Sequence, residues 1–154
     1  MSHQQFVYVT YIRSTPEKVW EAFTAPEFTK QYWFGVTMEC EWKKGSSWKM
    51  HLPDGTLADS GEILESDRPR KLVIKWQNEF KPEMKAEGYS RCTMTLEQGE
   101  GHVKMTILHE IEVEGDSMLI KGVSGGWPKV LSSLKSLLET GEALPEANKW
   151  PKGV

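Results

Sequence analysis

A length of 154 residues fits one domain at about 100–200 residues each, enough to bury roughly two thirds of the unfolded surface without disulfide or metal staples. The formal charge of −3 and pI of about 5.8 leave no clustered basic face, which excludes nucleic acid as an expected partner. No run of about 18 apolar residues exists, so no membrane span is expected either.

The N-terminus, MSHQQFVYV, has no charged leader ahead of an apolar core, so no signal peptide is expected. Cys40 and Cys92 are far apart and fit neither metal nor redox spacing; two free thiols in a reducing cytoplasm is the expectation.

Residues 5–13, QFVYVTYIR, are β-branched and aromatic and read as a first strand. Thr15 as a cap, Pro16 at the first helical position and the stripe Val19, Trp20, Phe23 predict a short helix. Pro26 breaks it, and Thr24-Ala25-Pro26-Glu27 reads as a capping box that opens a second short helix. That helix runs into EFTKQYWFG, where Phe28, Tyr32, Trp33 and Phe34 gather before Gly35.

From residue 36 the period becomes two. Val36, Met38, Cys40 and Trp42 alternate with polar residues, then Trp48, Met50 and Leu52 do the same after KKGS. PDG at 53–55 marks a hairpin. Further strands are predicted over 56–66, 71–77, about 86–97 and 103–113. The last puts Val103, Met105, Ile107, His109, Ile111 and Val113 on one face.

Val123, Trp127, Val130, Leu131, Leu134, Leu137 and Leu138 then recur at three and four, a long amphipathic helix stopped at Gly141. Gly125, Gly126 and Pro128 weaken its front, and a separate helical turn over 117–122 is expected to precede it. LPEANKWPKGV reads as a loose tail over 143–154 beyond a core at 5–142. The fold class is α+β: about seven strands in a curved antiparallel sheet wrapped on one long C-terminal helix, with two short helices after the first strand.

TPEKVWEAFTAPEFTKQYWFG and GGWPKVLSSLKSLLETGEAL resemble bacterial homologues of the activator of the heat-shock-protein-90 ATPase, in the START-like (helix-grip, SRPBCC) superfamily. The resemblance implies that the long helix grips the sheet around a cavity, with the two small helices over its opening. It also implies a chaperone contact as an alternative function. Fold alone does not choose, because the superfamily holds ligand carriers, enzymes and co-chaperone domains.

Residues 122–126, GVSGG, match a hydrolase nucleophile elbow, but that chemistry needs a preceding strand and a later histidine. None follows His109, so Ser124 is read as part of a helix-start loop. His3, His51, His102 and His109 have no metal-ligand spacing, and no metal or cofactor is expected. His109 reads either as a core imidazole satisfied by a nearby hydroxyl or carbonyl, or as a polar contact for a ligand. Asp59 faces inward by parity unless a bulge at Gly61 intervenes; catalysis by Asp59 with His109 would need hydrogen-bond reach between them.

The expected ligand wall is Trp33, Met38, Trp48, Met50, Trp76, Met94 and Met105, with His109, and with Trp127, Leu131 and Leu134 from the closing helix. It would hold a hydrophobic or aromatic molecule such as a lipid, polyketide or flavonoid-like compound. No catalytic residue is assigned; a cyclase or dehydratase is the enzymatic alternative. An exposed edge strand or the rim aromatics could support a homodimer.

Overall fold

The computed structural model describes residues 2–151. Seven strands form one antiparallel sheet: β1 (Ser2–Ile12), β2 (Thr37–Cys40), β3 (Ser47–His51), β4 (Leu57–Asp67), β5 (Lys71–Asn78), β6 (Ser90–Gln98) and β7 (Val103–Val113), in the order β1-β7-β6-β5-β4-β3-β2. Helices α1 (Pro16–Thr24) and α2 (Pro26–Tyr32) lie between β1 and β2, α3 (Pro82–Lys85) between β5 and β6, and α4 (Met118–Thr140) follows β7. This is the helix-grip arrangement that the order of elements predicted.

Local chemistry explains most of the boundaries. Thr15 accepts from the Lys18 amide at 3.3 Å and caps α1, with Pro16 in its first turn. The expected capping box at α2 does not form. Its cap residue is Ala25, and the Thr24 hydroxyl instead donates back to the Trp20 carbonyl at 2.9 Å. β2 stops at Cys40, short of the predicted strand, because Trp42 takes a left-handed backbone with φ of 59°. Residues 82–85, unassigned in the sequence, form α3, and β6 accordingly begins at Ser90 rather than 86.

The largest difference lies in α4. The separate turn and the later helix are one continuous helix of 23 residues, which places Ser124 within the helix and not in a loop at its start. Its first turn is strongly capped. Ser117 accepts from the Ile120 amide at 3.0 Å, and the Glu87 carboxylate takes the Met118 and Leu119 amides at 2.6 and 3.2 Å. An anion on the exposed amides at a helix N-terminus offsets the weak propensity of Gly122, Gly125 and Gly126.

The tail also differs from expectation. Ala147 is buried, Trp150 packs edge-on against Phe34 and Phe80, and Leu144 donates its amide to Ser133 at 3.2 Å. Residues 152–154 of the expected loose extension lie outside the described residues. Gly35 makes this docking feasible: its φ is 77°, and a Cβ there would meet the Asn148 carbonyl and the Pro53 ring, each at 2.7 Å.

The core fills the concave face of the sheet beneath α4. All six β7 residues predicted to share one face are buried. Register irregularities fall at Met50/His51 and between Ile63 and Glu65, not at Gly61. Gly61 has another role. It pairs with Trp48 on one side and Trp76 on the other, and the two indoles meet across it with centroids 4.5 Å apart. Strands two apart are separated by roughly 9–10 Å, so the contact depends on the absent side chain between them.

A Cβ at Gly61 would also stand 1.6 Å from the Lys75 carbonyl oxygen. Gly61→Ala should therefore cost about 3 kcal/mol or more in urea unfolding. Gly125→Ala, in a helix with nothing within 4 Å of the new methyl, should stabilise by up to about 1 kcal/mol. Equal effects at the two positions would refute this account of Gly61.

Candidate functional site

A cavity of about 190 Å³ opens at one end of the grip. The sheet contributes Met50 from β3, Asp59 from β4, and Trp76 and Asn78 from β5. The first half of α4 contributes Leu119, Gly122, Val123, Gly126, Trp127 and Val130. Trp33 and Phe34 close one side, Phe80, Lys81 and Met84 another, and Trp150 with Pro151 lie over the rim.

Of the wall expected from the sequence, Trp33, Met50, Trp76 and Trp127 are brought together at this cavity. Met38, Trp48, Met94, Met105, His109, Leu131 and Leu134 face inward as predicted but form packed core away from it. The reason is depth. Tryptophan rings fill the middle of the grip: Trp127 is 5.2 Å from Trp33 and 5.8 Å from Trp76, centroid to centroid, and lies nearly parallel to Phe23 at 6.4 Å. The hollow expected under the centre of the helix is thus occupied by the protein's own side chains, and the free volume is displaced to the open end.

The aromatic-rich segment EFTKQYWFG divides its rings accordingly. Tyr32 is fully buried and donates its hydroxyl to the Ala22 carbonyl at 2.8 Å, tying α2 to α1. Phe28 packs against the core from the side, and Trp33 and Phe34 reach the cavity. Phe34 does so from a left-handed backbone, φ 50°, at the turn into β2.

Two buried ionisable groups flank Trp76, and their hydrogen bonds differ in kind. His109 Nδ1 accepts from the Trp127 indole at 3.1 Å, so the proton of the neutral ring is on Nε2, which donates to Ser90 Oγ at 2.8 Å. Ser90 in turn donates to the Trp76 carbonyl at 3.0 Å. The imidazole is fully satisfied, and burial pulls its pKa down to about 3. This is the reading of a core histidine paired to a hydroxyl.

Asp59 is 6% exposed, and both of its donors converge on one oxygen: Trp76 Nε1 and Asn78 Nδ2 reach Oδ1 at 3.0 and 3.3 Å. Burial raises its pKa to about 7, against the lowering effect of those two bonds, and Glu79 adds a smaller push in the same direction as burial. Among the described residues no buried side-chain nitrogen or oxygen lacks a partner, so Oδ2, which takes neither bond, is the carboxyl atom open to the cavity. Asp59 and His109 share no hydrogen bond, because the Trp76 ring lies between their partner sets; the paired acid–base arrangement considered from the sequence is absent.

The other sequence candidates lie elsewhere. Ser124 donates to the Lys121 carbonyl at 2.8 Å on the exposed side of α4. No group of three His, Cys, Asp or Glu side chains among the described residues could hold a metal ion. Asn78, Phe80, Lys81, Met84, Val130 and Trp150 line the cavity without having been singled out. Of these, only Val130 carries a periodic signal, as a member of the helical stripe.

The two buried groups oppose each other in stability. Asp59 keeps its proton in the folded state up to about pH 7 and loses it near pH 4 when unfolded, so its contribution falls as pH rises through that window. His109 refuses a proton down to about pH 3 that the unfolded chain takes up near 6.5, so its contribution falls as pH drops through that window. Between about pH 4 and 6.5 the two slopes, each up to about 1.4 kcal/mol per pH unit, should cancel. Urea midpoints of Asp59→Asn should rise with pH across this window and those of His109→Gln should fall. Two parallel profiles would contradict the assignment.

Solved structures with the same fold include an HSP90 activator from Plasmodium falciparum, at TM-score 0.70 and 22% identity over 87% of this chain and 95% of that one. The Aha1 dimer from Colwellia psychrerythraea matches at TM-score 0.72 and 18% identity, over 91% of this chain and 99% of its own. DynU16, a protein of the dynemicin biosynthetic locus, matches at TM-score 0.73 and 17% identity, covering 95% of this chain but 49% of DynU16. No curated protein matches the sequence. The family described as Activator of Hsp90 ATPase homolog 1-like protein matches residues 13–139, which together with this seven-stranded helix-grip fold makes the chain a member of that family.

Proposed function

We propose that the protein binds a small, largely apolar, ring-containing molecule at the open end of the grip. The observation that carries this is the cavity itself: walls of tryptophan, phenylalanine, methionine and leucine with one buried carboxyl among them. A few polar groups in an apolar hollow is the usual form of a small-molecule site. The DynU16 relative, from a biosynthetic locus, supports the same direction. Trp33, Met50, Trp76 and Trp127 would contact the ligand, joined by Asp59, Phe80 and Trp150.

Size refines the ligand class. An engineered apolar cavity of about 150 Å³ holds benzene, so about 190 Å³ suits one ring with substituents rather than a lipid, polyketide or flavonoid. Ten non-hydrogen atoms at about 0.5 kcal/mol each give about 5 kcal/mol, a Kd of about 0.2 mM.

Cys40 and Cys92 are both free thiols, which fits the reducing cytoplasm proposed as its location. No helix among the described residues is long and apolar enough to cross a membrane.

The family match favours a second reading, a partner-binding module that regulates a chaperone, as the Plasmodium falciparum relative is described. Pull-down with the cognate chaperone and a changed ATPase rate would support it; neither effect would remove it. The proposed homodimer has its counterpart in β1, an edge strand on which Val7, Val9 and Tyr11 are exposed.

Thermal melts with phenol, benzyl alcohol or indole at about 2 mM, near ten times the expected Kd, should rise by about 3–6 °C for at least one compound. Gly126→Leu should abolish the shift. That position is on the cavity wall with nothing within 4 Å of a new Cβ, so the side chain fills the hollow without straining the helix. No shift with any ring compound, or an undiminished shift in Gly126→Leu, would overturn the ligand reading.

A further inference from the structure

The cavity is ringed by six aromatic side chains from separate parts of the chain: Trp33, Phe34, Trp76, Phe80, Trp127 and Trp150. Where they touch, none lies parallel to its neighbour. Trp33 and Trp127 are inclined at 56°, Trp76 and Trp127 at 69°, Phe80 and Trp150 at 77°, and Phe34 and Trp150 at 87°. Steep angles between successive rings make an enclosure and not a stack, so that no ring of the set covers the whole face of its neighbour. Ring faces carry negative quadrupole potential and attract cations.

At the sheet side of this enclosure is the Asp59 carboxyl, with Oδ1 fixed by Trp76 and Asn78 and Oδ2 left to the opening. Its two donors orient it without neutralising it. A carboxylate in such a place lacks a countercharge, and a neutral apolar ligand would supply none.

We propose that the cavity is an aromatic cage for a small organic cation, a methylated ammonium or a protonated amine, whose charge rests against Asp59 Oδ2. This rests on the reading that the hollow binds a small molecule, and it makes a cationic group, with or without a ring, the feature that is recognised.

The other charges around Asp59 are consistent with this. Glu79, at the end of the same sheet region, hydrogen-bonds to Ser60 and pairs with Lys85 at 2.9 Å. His109, across Trp76, is neutral and has both nitrogens occupied. Lys81 is the one cationic side chain on the cavity wall among the described residues. Its Nζ is 5.8 Å from the Phe80 ring centroid, so a positive charge already lies near one of these rings. Lys81 is half-exposed at the rim, whereas Asp59 is buried; an incoming cation meets the carboxyl more deeply than the lysine does.

A charged guest should hold Asp59 ionised. Because the empty site keeps its proton up to about pH 7, cation binding at lower pH must expel that proton, and affinity should rise with pH by up to tenfold per unit below 7.

The test is calorimetric titration with choline and with its uncharged carbon isostere, 3,3-dimethyl-1-butanol, at pH 6 and pH 8. For the wild type at pH 8, choline should bind at least tenfold more tightly than the isostere, and the ratio should shrink severalfold or more at pH 6. In Asp59→Asn the two affinities should converge and the pH dependence vanish, with folding checked by its thermal melt. Equal affinities in the wild type, or a choline preference that survives Asp59→Asn, would overturn the proposal. Wild-type titrations with benzyl alcohol and benzoate separate the remaining outcomes. Benzyl alcohol binding without choline preference overturns the cation cage and leaves the small-molecule site standing. Preference for benzoate overturns it in favour of recognition by Lys81. Binding of none of these compounds overturns both readings.

Discussion

One imidazole fixes the geometry from which the rest follows. His109 accepts the Trp127 indole proton and passes the connection through Ser90 to the Trp76 carbonyl, joining the long helix to three adjacent strands through one chain of hydrogen bonds. An unpaired imidazole at this depth would cost about 1–3 kcal/mol, so each link depends on the next. With Trp127 pointed inward and pinned, the middle of the helix cannot stand away from the sheet. The contiguous rings of Trp48, Trp76, Trp127 and Phe23 close the centre of the grip.

The open end is then a consequence of what lies N-terminal to Trp127 on α4. Gly122 and Gly126, both on the cavity wall, bring no side chains to fill space there. Pro128 supplies no amide for the Ser124 carbonyl four residues earlier, so the ladder of this half lacks one bond. Gly122 has a neighbour, since a Cβ there would meet the Met84 methyl at 2.9 Å; α3 takes the place of a missing helix side chain. Gly126 has none within 4 Å. The cavity is thus bordered by a glycine that nothing has moved in to cover, which is why the free volume is found beside it and not beneath Leu131 and Leu134.

Periodicity made the framework legible. The alternation from Val103 to Val113 and the three-and-four spacing from Val123 to Leu138 each report a buried face, and both faces are where the sequence put them. What periodicity cannot report is position along that face. Met38, Met94 and Met105 have the same inward parity as Met50, yet only Met50 reaches the open end. Segments without a period were less legible. Phe80, Lys81 and Trp150 come from a short connection and a tail whose burial depends on partners far away in sequence: Phe34, Gly35 and each other. The continuous start of α4 was hidden for a related reason, because its stabilising group is Glu87, thirty residues upstream of the Ser117 cap. In the aromatic-rich stretch, composition announced several buried rings, but only the left-handed turn at Phe34 and Gly35 decides which rings face the rim.

The contrast between the two buried ionisable groups bears on function more than either does alone. Both pay for desolvation, and both have pKa values displaced far toward the neutral form. His109 has a structural return for that cost in every polar atom of its ring, and a purely architectural role accounts for it. Asp59 does not. A single acceptor oxygen would satisfy the Trp76 indole and the Asn78 amide, and an amide side chain could offer that oxygen without an ionisable group. Its second oxygen, turned toward a hollow lined by aromatic rings, is surplus to the architecture. Buried ionisable groups with that kind of surplus cluster at binding and catalytic sites, which supports the proposed site at Asp59 and the ring of aromatics around it, at the open end of the grip and not beneath the centre of the helix.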